Sequence, residues 1–256
     1  MTQPRLNCPG SFLITRRVSQ RTFLFRPSKQ VTEMYLYLLA VLSKKYGIQV
    51  HAAVLMSTHA HLVISDPLAR RSGFMQEFHR LLANCLKNHI RWAGEVFDSR
   101  APSVVELTTP EALVEKTAYL MANPVEAGLV FHSRDWPGVQ TTPAQLGCAR
   151  WTARRPDVYL DPDNPRWPRT ATLELVHPES SHMRPEDFRS QVQAELDELE
   201  EAARDKLRNE GRRFAGRKTV LRTSRYKRAT SREERGALNP TFAAGRGCRT
   251  AYLQAA

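Results

Sequence analysis

The chain has 256 residues, 41% of them hydrophobic, and a formal net charge of +12. That length holds one large domain, or a compact domain with an appendage, and so basic a surface points to a polyanion, nucleic acid before a membrane surface. No apolar run of about eighteen residues is present, which excludes a membrane-spanning helix, and MTQPRLNCPG at the start lacks the apolar stretch of a secretory signal. Cys8, Cys85, Cys148 and Cys248 fit no zinc-ligand spacing and are expected as reduced thiols.

Residues 11–26 read as strand material, with Phe12, Leu13 and Ile14, then Phe23, Leu24 and Phe25. A helix is expected from about Ser28 to Tyr46, where Val31, Met34, Tyr35, Leu38, Val41 and Leu42 recur at helical spacing and Gly47 supplies a stop. Ile48–Met56 and His59–Ser65 read as a hairpin around Ser57 and Thr58. A second helix covers about Gly73 to Trp92, and Ser103–Leu107 forms a fourth strand. Thr109-Pro110 then opens a third helix over 110–123, with an N-cap threonine and proline at the first helical position. The first six elements have the order β-α-β-β-α-β. They predict an α+β fold: a ferredoxin-like antiparallel sheet with helices on one face and the other face free for a site.

Eight of the sixteen prolines fall between Pro137 and Pro185, which suggests an extended connector. A long helix is expected from Pro185 to about Asn209, with Phe188, Val192, Leu196, Leu199, Ala203 and Leu207 as its stripe. Residues 211–232 then carry nine Lys or Arg and no acid, a basic helical or extended C-terminal region. The expected organisation is residues 1–138 as the first domain, where any candidate site would lie, 139–184 as the connector, and 185–256 as the long helix and the basic region.

Three features carry chemistry. His59 and His61 are two apart on a predicted strand, so their side chains share a face, start about 6.6 Å apart and can converge on one ion. Such a pair arises by chance in roughly one chain in four of this histidine content; its place in a hairpin strand is what raises it. Tyr119 lies on the third helix. Periodicity alone favours a packing role for it, and a phenol is a poor nucleophile unless a cation or base assists. Asn123 lies one turn beyond Tyr119 on the same face. Because Pro124 disfavours helical geometry before it, Asn123 equally reads as the cap of a new short turn over 124–127. His51, His79 and His89 read as packing or surface histidines, and Trp136 as a core anchor.

The segment AAVLMSTHAHLVIS resembles the His-hydrophobe-His signature of the HUH superfamily. The segment YLMANPVEAGLVFHSRDWPG, from Tyr119 to Gly138, is similar to the signature of the single-tyrosine transposases in that superfamily, and more narrowly to the REP-associated tyrosine transposases of bacteria. The resemblance covers roughly residues 11–138. It implies a nucleophile at Tyr119, metal ligands at His59, His61 and Asn123, and Mg²⁺ or Mn²⁺ as cofactor. It also implies single-stranded or hairpin DNA as substrate, a monomer or homodimer, and a cytoplasmic, nucleoid-associated place with no membrane. Two departures stand out. Ser57 and Thr58 replace the usual Pro-Asn or Pro-Glu before the first histidine, and Glu126 replaces the usual basic residue after Asn-Pro-Val.

The DNA path is expected along Arg16, Arg17, Arg21 and Arg26, and along Arg212, Arg213, Arg217, Lys218, Arg222, Arg225, Lys227 and Arg228. The same basic run also reads as a solvated tail. Tyr226 within it is a lone aromatic, thin support for base stacking. Two other functions are open: a non-catalytic binder of repeated palindromes, and a hydrolytic metalloenzyme for a small phosphate, which lacks an acid cluster near His59.

Overall fold

The computed structural model describes residues 7–230 and 241–245. In chain order the elements are β1 (Gly10–Arg17), α1 (Lys29–Tyr46), β2 (Gln49–Leu55), β3 (His59–Asp66), α2 (Arg71–Ile90), β4 (Ser103–Leu107), α3 (Pro110–Glu126), β5 (Arg150–Arg154), β6 (Thr170–Glu174), α4 (Pro185–Asn209), α5 (Arg217–Arg222) and β7 (Phe242–Ala243). The main sheet has the order β2-β3-β1-β4-β7. Its first four strands pair antiparallel, and β7 joins β4 in parallel. The order 2-3-1-4 is the expected ferredoxin-like arrangement, and the fold class is α+β.

Local signals set the helix ends. Ser28 accepts a hydrogen bond from Val31 N at 3.2 Å to open α1, and Gly47, at φ 70°, closes it in the left-handed region open to glycine. Thr109 caps α3 through Ala112 N, with Pro110 at the first helical position.

Both faces of the sheet are covered, not one. Phe12, Ile14, Leu62 and Ile64 pack with Tyr35, Leu38, Phe74 and Phe78 of α1 and α2. Leu13, Val63 and Val105 face the opposite way and pack with Leu113, Ala118 and Val125 of α3 and with Phe188, Val192 and Leu196 of α4. The face expected to be free is therefore filled by α3 and α4. The reason lies in the strands: Phe-Leu-Ile in β1 and Leu-Val-Ile in β3 are apolar at both parities, the pattern of a strand buried on two sides. Each fully buried side chain of the α4 stripe contributes about 1.5–3 kcal/mol, so α4 is integral to the core.

The proline-rich stretch is likewise more than an extended connector. It folds as the β5–β6 hairpin and packs on α1, where Tyr37 donates to Pro168 O at 2.7 Å. Its ends run along the outer edge of β2. Leu55 N donates to Val139 O, Thr141 N to Ala53 O, and Val176 N to Val50 O. Strand β2 is irregular between Val50 and Ala52. The residue between them, His51, is fully buried, with Nδ1 2.7 Å from Val176 O and Nε2 2.8 Å from Ser65 Oγ.

Three cysteines, Cys8, Cys85 and Cys148, are free thiols; Cys248 lies outside the described residues. Among the described residues no helix is long and apolar enough to cross a membrane.

Candidate active site

The site sits where β3 begins, on the α3 side of the sheet. The antiparallel register sets Thr15 across from His61 and Arg17 across from His59. These four side chains share the parity of Leu13 and Val63, so they face α3. From α3, Tyr119 reaches back: its ring lies 6.0 Å from that of His61, edge-on, and the two imidazoles are 4.6 Å apart, also edge-on. The structure thus brings together His59, His61, Tyr119 and Asn123 from two distant segments.

Asn123 is placed by a defect in the helix. Pro124 has no N–H, so the carbonyl of Leu120 loses its backbone donor. The helix nevertheless continues to Glu126, rather than ending at 123 with a new turn beyond. Asn123 Nδ2 fills in, donating to Tyr119 O at 2.8 Å and reaching Leu120 O at 3.4 Å. With the nitrogen held by the helix, the amide oxygen is left to the site. The amide approaches both imidazoles and the Tyr119 hydroxyl, but His61 Nε2 still has no hydrogen-bond partner of proper geometry.

Both imidazoles are oriented from behind. His61 Nδ1 is 2.8 Å from Thr15 Oγ1, and His59 Nδ1 is 2.9 Å from Thr58 Oγ1. With a proton on each Nδ1, donated to the hydroxyl, the Nε2 lone pairs are directed inward. A hydrogen bond on the far nitrogen is the usual companion of a histidine ligand. Burial pushes His59 down to about 4, helped by Arg17 and Arg21 and opposed by Asn123. Burial and His59 push His61 lower still. Both rings are neutral near pH 7, as metal binding requires.

Two imidazoles, one of them with an orphaned buried Nε2, and one amide oxygen fit a divalent cation. The donors are softer than magnesium favours and suit manganese better. Among the described residues no cluster of three or more His, Cys, Asp and Glu exists, so this mixed set is not rivalled by an acidic site.

Tyr119 is held above its usual pKa, first by burial and then by Glu126, while Arg17 and Asn123 pull the other way. It is therefore a neutral phenol at neutral pH. Lys116 Nζ stands 5.7 Å from its ring centroid. Burial in turn raises the carboxyl of Glu126 above its ordinary value, opposed by Lys206.

The expected DNA-contacting residues divide. Arg17 and Arg21 act electrostatically on His59 and belong to the site. Arg16 does not. It has the parity of Phe12 and Ile14, lies 4.8 Å from the Phe97 ring centroid on the α1–α2 side, and donates to Arg100 O. Arg26 adjoins Arg225. The basic run is tied down at three points. Ala215 N and Gly216 N donate to Gly128 O and Leu129 O, Val220 is buried against the α3–α4 layer, and residues 227–229 bond to residues 21–23. It passes from the end of α3 to the loop after β1. Arg213, Arg217, Lys218, Arg222, Lys227 and Arg228 are exposed along it, and Arg212, also exposed, pairs with Glu210 at 2.8 Å. Sequence reasoning missed Thr15, Thr58 and Lys116. Thr58 and Lys116 are near in sequence to His59 and Tyr119, whereas Thr15 becomes visible only once strand register is known.

No protein family matches the chain by sequence profile, and no curated protein matches it. Among solved structures, the chain is similar to a REP-associated tyrosine transposase bound to a REP hairpin. Identity is 17%, the match covers 54% of this chain and 81% of that one, and the TM-score is 0.45. It is also similar to a candidate transposase from Deinococcus radiodurans, at 14% identity over 41% of this chain and 85% of that one, with a TM-score of 0.33. At such scores the likeness carries no argument about residues or substrate.

Proposed function

We propose that this protein cuts and rejoins single-stranded or hairpin DNA, such as REP-like elements, with Tyr119 as nucleophile and Mg²⁺ or Mn²⁺ as cofactor. The observation that carries the proposal is the convergence of the Tyr119 phenol, the oriented His59 and His61 and the Asn123 amide, with the buried His61 Nε2 lacking a partner. His59, His61 and Asn123 would hold the cation, which supplies positive charge that polarises a non-bridging phosphate oxygen and orients the phosphate.

The chain's own groups do the rest. Asn123, locked to the helix backbone, keeps the phenol and the imidazoles in one geometry. Arg17, across from His59, adds fixed positive charge where the phosphodiester enters. The Tyr119 oxygen attacks phosphorus and gives up its proton; the bond to the 3′ oxygen breaks and that oxygen leaves as a hydroxyl. The product is a 5′-phosphotyrosine. Its phosphoester bond is kept, so a 3′-hydroxyl can attack it and release Tyr119, giving strand transfer instead of hydrolysis. Arg21 and the exposed cations from Arg212 to Arg228 are suited to neutralise backbone phosphates without reading bases.

The test is incubation with hairpin DNA and Mn²⁺, followed by denaturing electrophoresis. A covalent protein–DNA adduct is expected, and Tyr119→Phe should abolish it. An adduct that persists in Tyr119→Phe would place the nucleophile elsewhere. Hairpin binding that survives EDTA, with no nicking in any metal, would leave a non-catalytic palindrome binder.

A further inference from the structure

Tyr226 is the one aromatic in the basic run from Arg217 to Arg228, and it is 56% exposed. A single exposed ring is ordinary on a protein surface. Its setting is not. The ring is stacked on Trp92, just beyond α2, with centroids 5.8 Å apart and planes 22° from parallel. Both rings are tethered at their polar tips: Tyr226 Oη donates to Ile90 O at 3.4 Å, and Trp92 Nε1 to Glu95 O at 3.3 Å. Cations surround the pair in sequence, with Arg225, Lys227 and Arg228 on one side and exposed Arg91 on the other. The nearby carboxylate, Glu95, is paired with Lys87 at 3.4 Å.

The backbone fixes where this pair stands. Phe23 N donates to Lys227 O at 3.0 Å, and Ala229 N to Arg21 O at 3.0 Å. Thr22 and Arg228 form an antiparallel bridge. The platform is therefore joined directly to the loop that carries Arg21, whose charge acts on His59. Trp92 packs against the α1–α2 layer, so the rings lie across the sheet edge from the imidazoles, linked to them by the tethered residues 21–23 and 227–229.

We infer that Tyr226, backed by Trp92, is a stacking platform for an unpaired nucleobase of the DNA strand bound at the active site. The inference rests on the nucleic-acid reading above and adds a subsite to it. A supported ring with one open face and flanking phosphate-neutralising charge is how proteins hold single strands with little sequence preference. A solvated charge run would need neither the stack nor the backbone tether.

The test separates base from backbone. Affinities are measured in EDTA, so that no strand is cut, for a thymidine oligonucleotide of about 12 nucleotides and for an abasic oligomer of equal length. Tyr226→Ala should weaken binding of the thymidine oligomer about tenfold and leave the abasic oligomer unchanged. Tyr226→Phe, which keeps the ring, should restore the affinity. Equal losses on both oligomers would mean that the ring only props up the charged segment, and no loss on either would leave it without a role; both overturn the platform. Adduct formation through Tyr119 is scored separately. If it proceeds while the platform fails, only this inference falls; if the wild-type chain binds neither oligomer, the nucleic-acid reading falls with it.

Discussion

Acidification should destabilise this protein in part through His51, and the size of that part can be worked out. The ring is fully buried, its two nitrogens are satisfied by Val176 O and Ser65 Oγ, and burial chiefly pushes it from 6.5 down to about 4. In the fold it stays neutral, while in the unfolded chain it takes up a proton below its ordinary pKa. Its contribution is thus intact above about 6.5 and is lost as pH falls toward about 4. Between pH 7 and pH 5 the loss comes to about 2 kcal/mol, from 1.36 kcal/mol per pKa unit. Urea unfolding at both pH values, in the wild type and in His51→Gln, reads it. The variant costs about 1–3 kcal/mol at pH 7 for its altered hydrogen bonds, but should lose about 2 kcal/mol less than the wild type on acidification. His59, His61 and His79 are also pushed down by burial and titrate alike in both proteins, so the difference isolates His51. Identical pH dependence in the two proteins would refute the reasoning.

Three further outcomes are expected. Mn²⁺ at a hundredfold excess over its Kd should stabilise the wild type by about 2.7 kcal/mol in thermal unfolding, and His61→Ala should remove that gain; a wild type indifferent to divalent ions would leave the histidines as packing groups. Phe188→Ala, in the fully buried stripe of α4, should cost about 3–5 kcal/mol by urea unfolding, and a loss below about 1 kcal/mol would show α4 to be an appendage. Glu77, held down to about 2 because hydrogen bonds from Lys45, Arg166 and Tyr46 outweigh burial, ties α1 and α2 to the β5–β6 turn. Its contribution is present above about 4.5 and lost as pH falls toward about 2. With both cations part-exposed, Glu77→Gln should cost only about 1 kcal/mol and speed amide exchange in the turn around Arg166; unchanged exchange there would show that the turn is held by other contacts.

Much of this architecture was legible from residue pattern. β4 and α4 have the bounds the sequence suggested, because apolar spacing marks both and Pro185 opens α4. The double-sided sheet is legible too, in the unbroken apolar triplets of β1 and β3, which element order alone does not record. The orientation of Arg16 is legible in the same pattern: its parity with Phe12 and Ile14 turns it away from His61. Other features lie beyond local pattern. The passage of α3 through Pro124 depends on one amide reaching a freed carbonyl. The pairing of Thr15 with His61 depends on register, and Trp92 meets Tyr226 only through a chain path that no spacing records.

Helix α3 is clamped between the sheet and α4, so the phenol faces imidazoles of its own chain. If Tyr119 is the nucleophile, as proposed, one polypeptide carries one attacking group, and cutting at two places asks for two turnovers in succession or two molecules side by side. Counting DNA ends captured per polypeptide during a single round would tell a solitary worker from a pair.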